Sequence, residues 1–290
     1  MRRASAATGA VVLALALAAC GSGEAPSDGA GGDRIVLTPA KDGGTPVQPI
    51  GNPVGDGTKD AVGGYRMTDV RLPGAEAPGA ISFRIVGENG VPLRDYTLEQ
   101  TKELHLYVVR DDLSQFRHLH PTLGADGTWR GQVDLGTPGR WRMVTEFIPK
   151  GASRPLVLGH TLAVAGKATQ TPVPRGETAA TGTDGVVEAR LLAPGKVDPN
   201  GRLRLAITDP EGEPVTLGSY LGAAAHLTGF AVDSRGFVHV HPYGAPEVTK
   251  DGTVLTFHTT FTQAGDYRLF VQVRVDGLLH QLAVTAAVTD

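Results

Sequence analysis

Histidines are the residues whose spacing in this sequence points most clearly to chemistry. Eight of the nine histidines fall into two matched sets, and only His258 lacks a counterpart. In both sets a pair of the form His-x-His-Pro follows the first histidine at 13 and 15 residues. The matched histidines are His105, His118, His120 and His160 in the first set, and His226, His239, His241 and His280 in the second.

The spacing predicts that three histidines of each set share one face of a β-hairpin. Residues two apart on a strand point to the same side, so His118 and His120 lie together. A two-residue loop at Asp112-Leu113 places His105 directly opposite His120, with Cβ atoms about 5 Å apart. The equivalent loop at Asp233-Ser234 pairs His226 with His241. The fourth histidine of each set, His160 or His280, is also a candidate metal ligand, but it comes from a later strand whose position this spacing does not fix.

Clustered neutral imidazoles are ligands for Cu(II), Zn(II) or Ni(II). A soft Cu(I) or blue-copper site requires thiolate or thioether ligands. The mature chain offers only Met67 and Met143 as thioethers, without counterparts in the second set. We therefore expect copper or zinc at both clusters and favour Cu(II). Glu146 and Gln272 occupy matched positions and are candidate outer partners of the imidazoles, with a solvated strand position as the alternative.

Two other interpretations of the histidines remain open. They can be structural residues that order the hairpins of a non-catalytic protein, whose surface then binds another protein of the cell envelope. Alternatively, the histidine faces of the two copies, or of two molecules, can share one metal across an interface. Substituting His105, His118 and His120 distinguishes a metal-binding role from a purely structural one.

Composition and motifs argue against several classes of function. The sequence contains no Gly-x-Ser-x-Gly elbow, P-loop or dinucleotide fingerprint, so we expect no enzyme. A formal charge of −3 without a basic block gives no indication of nucleic-acid binding.

The N-terminus predicts export. Arg2 and Arg3 precede an uncharged apolar run at 10–19, which is too short to span a bilayer and has signal-peptide length. The run ends at Leu17-Ala18-Ala19-Cys20, which resembles a bacterial lipobox and implies cleavage before Cys20 and a lipid on its sulfur. Because Cys20 is the only cysteine, the chain has no internal disulfide. We expect attachment to the outer face of the cell membrane through this lipid alone.

The remaining chain predicts an all-β protein with two tandem domains. Short β-branched and aromatic segments alternate with Gly, Asn and Asp turn signals, as in immunoglobulin-like or cupredoxin-like β-sandwiches. The expected organisation is a signal peptide at 1–20, a flexible Gly/Pro-rich tether at 21–61, a first repeat at 62–167, a linker at 168–183 and a second repeat at 184–290.

The run at 102–121, followed by Gly139-Arg140-Trp141-Arg142-Met143-Val144, resembles the secreted His-x-His-Pro β-sandwich domains of bacterial lipoproteins. The likeness covers most of the first repeat and is weaker in the second, where 236–242 is its clearest part. Those domains are associated with heavy-metal handling, especially copper, at the cell envelope. The resemblance implies a metal role for His105, His118, His120 and their copies.

Overall fold

The described part of the chain, residues 52–73, 78–238 and 240–290 of a computed structural model, is built from β-strands and contains no α-helix. The predicted signal peptide, Cys20, most of the tether and His239 lie outside the described residues. Within the described residues no helix is long and apolar enough to cross a membrane.

The first repeat consists of two sheets, and all the pairs between its strands are antiparallel. The strands of one sheet are, in spatial order, β1 (Ala61–Val62), β2 (Tyr65–Arg71), β3 (Gly79–Gly87), β8 (Thr128–Val133) and β7 (Thr122–Leu123). The strands of the other sheet are, in spatial order, β10 (Leu156–Val164), β9 (Gly139–Pro149), β5 (Leu104–Arg110) and β6 (Phe116–Leu119). The short strand β4 (Tyr96–Thr97) pairs with β9.

The second repeat has the same plan and begins with a 3-10 helix at Glu177–Ala180. The strands of its first sheet are β11 (Thr181–Thr183), β12 (Glu188–Leu191), β14 (Asp198–Thr208), β20 (Gly252–Phe261) and β18 (Val240–Pro242), with β19 (Glu247–Thr249) on β20. Those of its second sheet are β13 (Gly195–Lys196), β22 (Leu278–Thr289), β21 (Gly265–Val275), β16 (Ala225–Ala231) and β17 (Phe237–Val238), with β15 (Leu217–Gly218) on β21.

Each repeat is a β-sandwich with its own core, which confirms the predicted fold class. The strand β3 alternates buried and less buried residues, as expected for a strand with one face on a core. In the first repeat Trp129 and Trp141 are fully buried within that core, and Leu205 and Phe257 are buried in the core of the second. The order β10-β9-β5 opposite β2-β3-β8-β7 is that of the immunoglobulin fold.

A third apolar layer joins the two repeats through the outer faces of their second sheets. All seven residues of β5 are buried, because its inner face packs on the first core and its outer face on the second repeat. The ring of Phe116 stacks on that of Phe270, with centroids 4.4 Å apart and planes 7° apart. Tyr107 stacks on Phe237 at 5.2 Å. The residues of this interface layer are Tyr107, Val109, Leu113, Phe116, Val144, Val157, Phe230, Val232, Phe237 and Phe270.

Two predicted boundaries need correction. The end of the predicted tether is bound to the first repeat, since Val54 pairs with Leu156 and the Gly159 amide donates to the Lys59 carbonyl. The 168–183 linker is shorter than predicted, because the 3-10 helix and β11 already belong to the second repeat. The composition of these segments did not reveal either boundary. The segments are rich in Gly and Pro, but a few of their valine and alanine side chains pack on the cores.

Replacing Phe116 with alanine tests the interface layer. We expect the free energy of unfolding to fall by about 3–5 kcal/mol, as for other buried Phe→Ala changes. Val248→Ala, at a side chain that is 75% exposed, serves as the control and should change stability by no more than about 0.5 kcal/mol. Chemical denaturation measures both variants. A loss below about 1 kcal/mol for Phe116→Ala would show that this layer does not hold the repeats together.

Candidate metal centre

The hairpin of β5 and β6 has the predicted register. Tyr107 lies opposite His118 and Val109 opposite Phe116, and just beyond the last pair of this register the rings of His105 and His120 lie 5.0 Å apart. Leu113 has a positive φ of 56° in the connecting turn. The Asp112 carboxylate accepts from the Ser114 amide at 3.1 Å and holds this turn. The three histidines therefore lie on the outer face of the sheet, which is the face that meets the second repeat.

Three ring nitrogens converge at His105. Its Nδ1 lies 3.1 Å from Nε2 of His118 and 3.2 Å from Nε2 of His120. One nitrogen from each of the three residues lies within 4.8 Å of the others, and His105 is buried. For metal–nitrogen bonds of about 2.0 Å in a tetrahedron, the ligand nitrogens are about 3.3 Å apart. The two measured distances agree closely with that spacing. We call these three residues the histidine trio.

A backbone carbonyl fixes the proton position on His105. Nε2 of His105 lies 3.0 Å from the Glu99 carbonyl oxygen, which can only accept a hydrogen bond. The proton of the neutral ring therefore sits on Nε2 and leaves a lone pair on Nδ1. The carbonyl begins a tight turn in which Gln100 and Thr101 both have positive φ, 45° and 70°. These angles are typical of a type I′ turn, although neither residue is glycine.

The second repeat holds its equivalent histidine in the same way. Nε2 of His226 lies 2.8 Å from the Tyr220 carbonyl, which is again six residues earlier in the chain. The turn at Leu221 and Gly222 again has two positive φ angles, 51° and 81°. His226 thus also directs an unprotonated Nδ1 away from its own turn. In both repeats the carbonyl that contacts the histidine lies six residues before it in the chain. The positions of the histidines alone did not reveal these carbonyl contacts.

The trio lies at the boundary between the repeats. The ring of His118 is 5.8 Å from that of His226, and its Nδ1 is 2.8 Å from Oε1 of Gln272. A small cavity of about 10 Å³, room for about one water molecule, adjoins the site. Side chains from both repeats line it, among them Glu99, His105, Tyr107, Glu146, His226 and His241. The histidine trio and His226 thus lie together at one site between the repeats.

Burial keeps the imidazoles of His118, His120 and His226 neutral. It lowers the pKa of His120 to about 3, with a further contribution from His105. It also lowers the pKa of His226 to about 4, and the pKa of His118 well below its ordinary value. Protonation would place charge in a desolvated site that already holds other imidazoles. The ligand form of these rings is therefore present far below neutral pH.

His241 does not follow the predicted register. The strand pair β16–β17 begins as predicted, with Phe230 opposite Phe237. The chain then crosses to the other sheet, where His241 pairs with His258 on β20 instead of lying opposite His226. Its Nε2 lies 3.7 Å from Oε1 of Glu99 in the first repeat. The prediction was wrong because it assumed one continuous strand, whereas β17 and β18 belong to different sheets. His239 itself lies outside the described residues.

The fourth histidine of each set does not join the trio. His160 pairs with Met143, and His280 with Val273. Met143 and Val273 point into the two sandwich cores, so both histidines face away from the interface. His160 borders an open groove with Lys59 and Asp60. Nδ1 of His280 lies 2.7 Å from the Asp184 carboxylate. We therefore correct their expected role as metal ligands.

The matched pair Glu146 and Gln272 is buried and not solvated. Gln272 contacts an imidazole as predicted, although that imidazole, His118, belongs to the other repeat. Glu146 lies beside His105 in the strand pairing and accepts a hydrogen bond from the Tyr107 hydroxyl at 3.1 Å. The Tyr107 ring in turn packs 4.7 Å from that of His118.

Comparison with known proteins gives no function for this chain. Residues 180–290, the second repeat, match a family model described as a domain of unknown function, DUF8832. No curated protein gives a significant match.

Among solved structures, the bacterial integrin-binding protein invasin is 11% identical, with 78% of this chain and 38% of that chain covered and a TM-score of 0.21. InvD of Yersinia pseudotuberculosis is 11% identical, with coverages of 83% and 56% and a TM-score of 0.21. A titin fragment is 9% identical, with coverages of 78% and 99% and a TM-score of 0.21. This chain thus spans little more than half, or less, of the two bacterial proteins. Likenesses this weak support no inference about function.

Because these imidazoles are buried and neutral, we expect the metal-free protein to lose stability as the pH falls. An unfolded histidine takes up a proton near pH 6.5, whereas folded His226 has a pKa of about 4. The unfolded state therefore binds more protons below pH 6.5, and stability present above that pH is lost as the pH falls. For His226 alone the loss between pH 7 and pH 5 is about 2 kcal/mol, and His120 adds to it in the same direction.

Chemical denaturation at the two pH values, in chelator, measures this loss. The His226→Leu variant should show a shallower dependence on pH than the parent protein. Identical dependences for the two proteins would contradict the assigned state of His226.

Proposed function

We propose that this protein is an exported, lipid-anchored β-sandwich protein that binds Cu(II) or Zn(II) at the histidine trio. The observation that carries the proposal is the convergence of three imidazole nitrogens, with contacts of 3.1 and 3.2 Å at Nδ1 of His105. Such distances suit nitrogens around one metal ion. Export and lipid attachment at Cys20 are proposed from the N-terminal sequence alone.

The side chains around the trio favour a metal that binds imidazole nitrogen, such as Cu(II) or Zn(II), over a metal that requires sulfur. In the described residues, Met67 and Met143 are buried in the first sandwich core and face away from the trio, which leaves no thioether beside it. The trio lies on a short hairpin, and His105 is further held by the Glu99 carbonyl. A preorganised nitrogen site of this kind serves to bind, buffer or deliver a metal ion, and we propose no catalytic step.

Three nitrogens leave a fourth position open in a tetrahedral site. His226 is our candidate to fill it, since its Nδ1 carries no proton in the neutral ring and its ring centroid lies 5.8 Å from that of His118. One ion would then be bound between the repeats, in place of the one ion per repeat that the sequence suggested. This arrangement is the shared-metal alternative raised by the sequence.

Titration of the purified protein with Cu(II) and with Zn(II), read by calorimetry, tests the proposal. We expect one strong equivalent per chain. His105→Ala should weaken binding by more than about 100-fold, because loss of an outer partner alone costs 10–100-fold. His226→Ala should weaken it less, because the trio remains intact.

His160→Ala is the matched control, because it removes a histidine on the opposite face of the same sheet. It should leave the affinity unchanged. Equal weakening in all three variants, or binding of the parent no tighter than that of an unstructured histidine peptide, would refute the proposal. In that event the alternative of a structural histidine cluster in a protein-binding envelope protein would be preferred.

A further inference from the structure

Two glutamines of the second repeat connect His118 to a backbone carbonyl of its own strand. Nε2 of Gln281 lies 3.2 Å from the Phe116 carbonyl oxygen. Nε2 of Gln272 lies 3.1 Å from Oε1 of Gln281, and Oε1 of Gln272 lies 2.8 Å from Nδ1 of His118. Gln272 and Gln281 are direct neighbours across β21 and β22. We call this series of contacts the glutamine relay.

The carbonyl end of the relay fixes the direction of every hydrogen bond in it. A carbonyl oxygen only accepts, so the group of Gln281 that faces Phe116 must be the amide NH₂. The oxygen of Gln281 then faces Gln272 and must receive the NH₂ of that residue. The oxygen of Gln272 is left facing Nδ1 of His118, which must therefore carry a proton. Turning either amide over would bring two acceptors or two donors together.

The consequence is a bare Nε2 on His118. A neutral imidazole has one protonated nitrogen, so a proton on Nδ1 leaves the lone pair on Nε2. That lone pair points at Nδ1 of His105, which the Glu99 carbonyl has also left unprotonated. Two lone pairs 3.1 Å apart form no hydrogen bond, and a cation between them would relieve their repulsion. His120 remains able to donate from Nε2 to His105 until a metal replaces that contact.

We propose that the second repeat is the outer half of the metal site, with Gln272 and Gln281 as positioning residues that hold His118 in its metal-binding tautomer. The inference rests on the proposed function for its metal, while the tautomer itself is a property of the metal-free protein. Both ends of the relay lie on β6 and both amides lie on the second repeat. Docking of the repeats and metal affinity are therefore thermodynamically coupled, and the metal stabilises the docked state by the same amount.

Nitrogen-15 NMR of the histidine rings in the full, metal-free protein tests the relay directly. The signals of His118, assigned by comparison with a His118→Gln sample, should show a protonated Nδ1 and an unprotonated Nε2. The reverse pattern would overturn the inference. Because no metal is present, this result does not depend on whether the proposed function is correct.

Zinc affinity of three variants supplies the second readout. Gln272→Leu removes the acceptor and should weaken Zn(II) binding by about 10–100-fold, as is usual for outer partners of a ligating histidine. It should also shift His118 toward the Nε2-protonated form, which can donate to His105. Gln272→Glu keeps an acceptor facing Nδ1, so its affinity should equal or exceed that of the parent.

Gln115→Leu is the matched control, because Gln115 precedes the same strand but bonds to Thr137. Its zinc affinity and its His118 tautomer should both be unchanged. Equal weakening by Gln272→Leu and Gln272→Glu would contradict positioning through the acceptor. If Gln272→Leu fails to fold, the parent NMR spectrum and the Gln272→Glu affinity still decide the question. A parent protein that binds no zinc but shows the expected tautomer would refute the proposed function and leave the relay established.

Discussion

The packing of one β-sandwich against the outer face of the other is the interaction on which the rest of the structure depends. Strands normally bury one face, whereas β5 buries both, because Tyr107 and its neighbours meet aromatic rings of the second repeat. Each such ring contributes about 1.5–3 kcal/mol by its removal from water. The histidine trio continues the same strand face at the border of this layer. Without the second repeat, the face of the hairpin that carries His118 would be exposed to water.

Backbone carbonyls and neutral amides hold the imidazoles at the polar end of this interface, beside the buried carboxyl groups of Glu99 and Glu146. The carbonyls of Glu99 and Tyr220 hold His105 and His226 through the same turn in both copies. The glutamine relay does the same for His118 from across the interface. The outcome is one lone pair on Nδ1 of His105 and another on Nε2 of His118, 3.1 Å apart, and an unprotonated imidazole nitrogen is what a divalent metal requires.

Much of this arrangement could be predicted from the sequence, and the failures have physical causes. The duplication and the strand parity of His118 and His120 gave the correct hairpin register, since a period of two residues allows few alternatives. His241 was misplaced because the position where a strand crosses between sheets depends on packing at the sandwich edge. Packing of the two repeats against each other was raised only as the shared-metal alternative, although the continuous apolar run around Tyr107 and Val108 is typical of a strand buried on both faces. The roles of Gln281 and of the Glu99 carbonyl could not be predicted, since both depend on a contact between distant segments.

The central claim is that one metal ion binds at the trio between the two repeats. Anomalous diffraction from a crystal of the protein grown with zinc, recorded on both sides of the zinc absorption edge, tests it most directly. We expect one strong peak about 2.0–2.1 Å from Nδ1 of His105 and Nε2 of His118. A peak bound instead through His160 or His280, or the absence of any peak beside His105 under conditions that saturate zinc binding in solution, would contradict the claim.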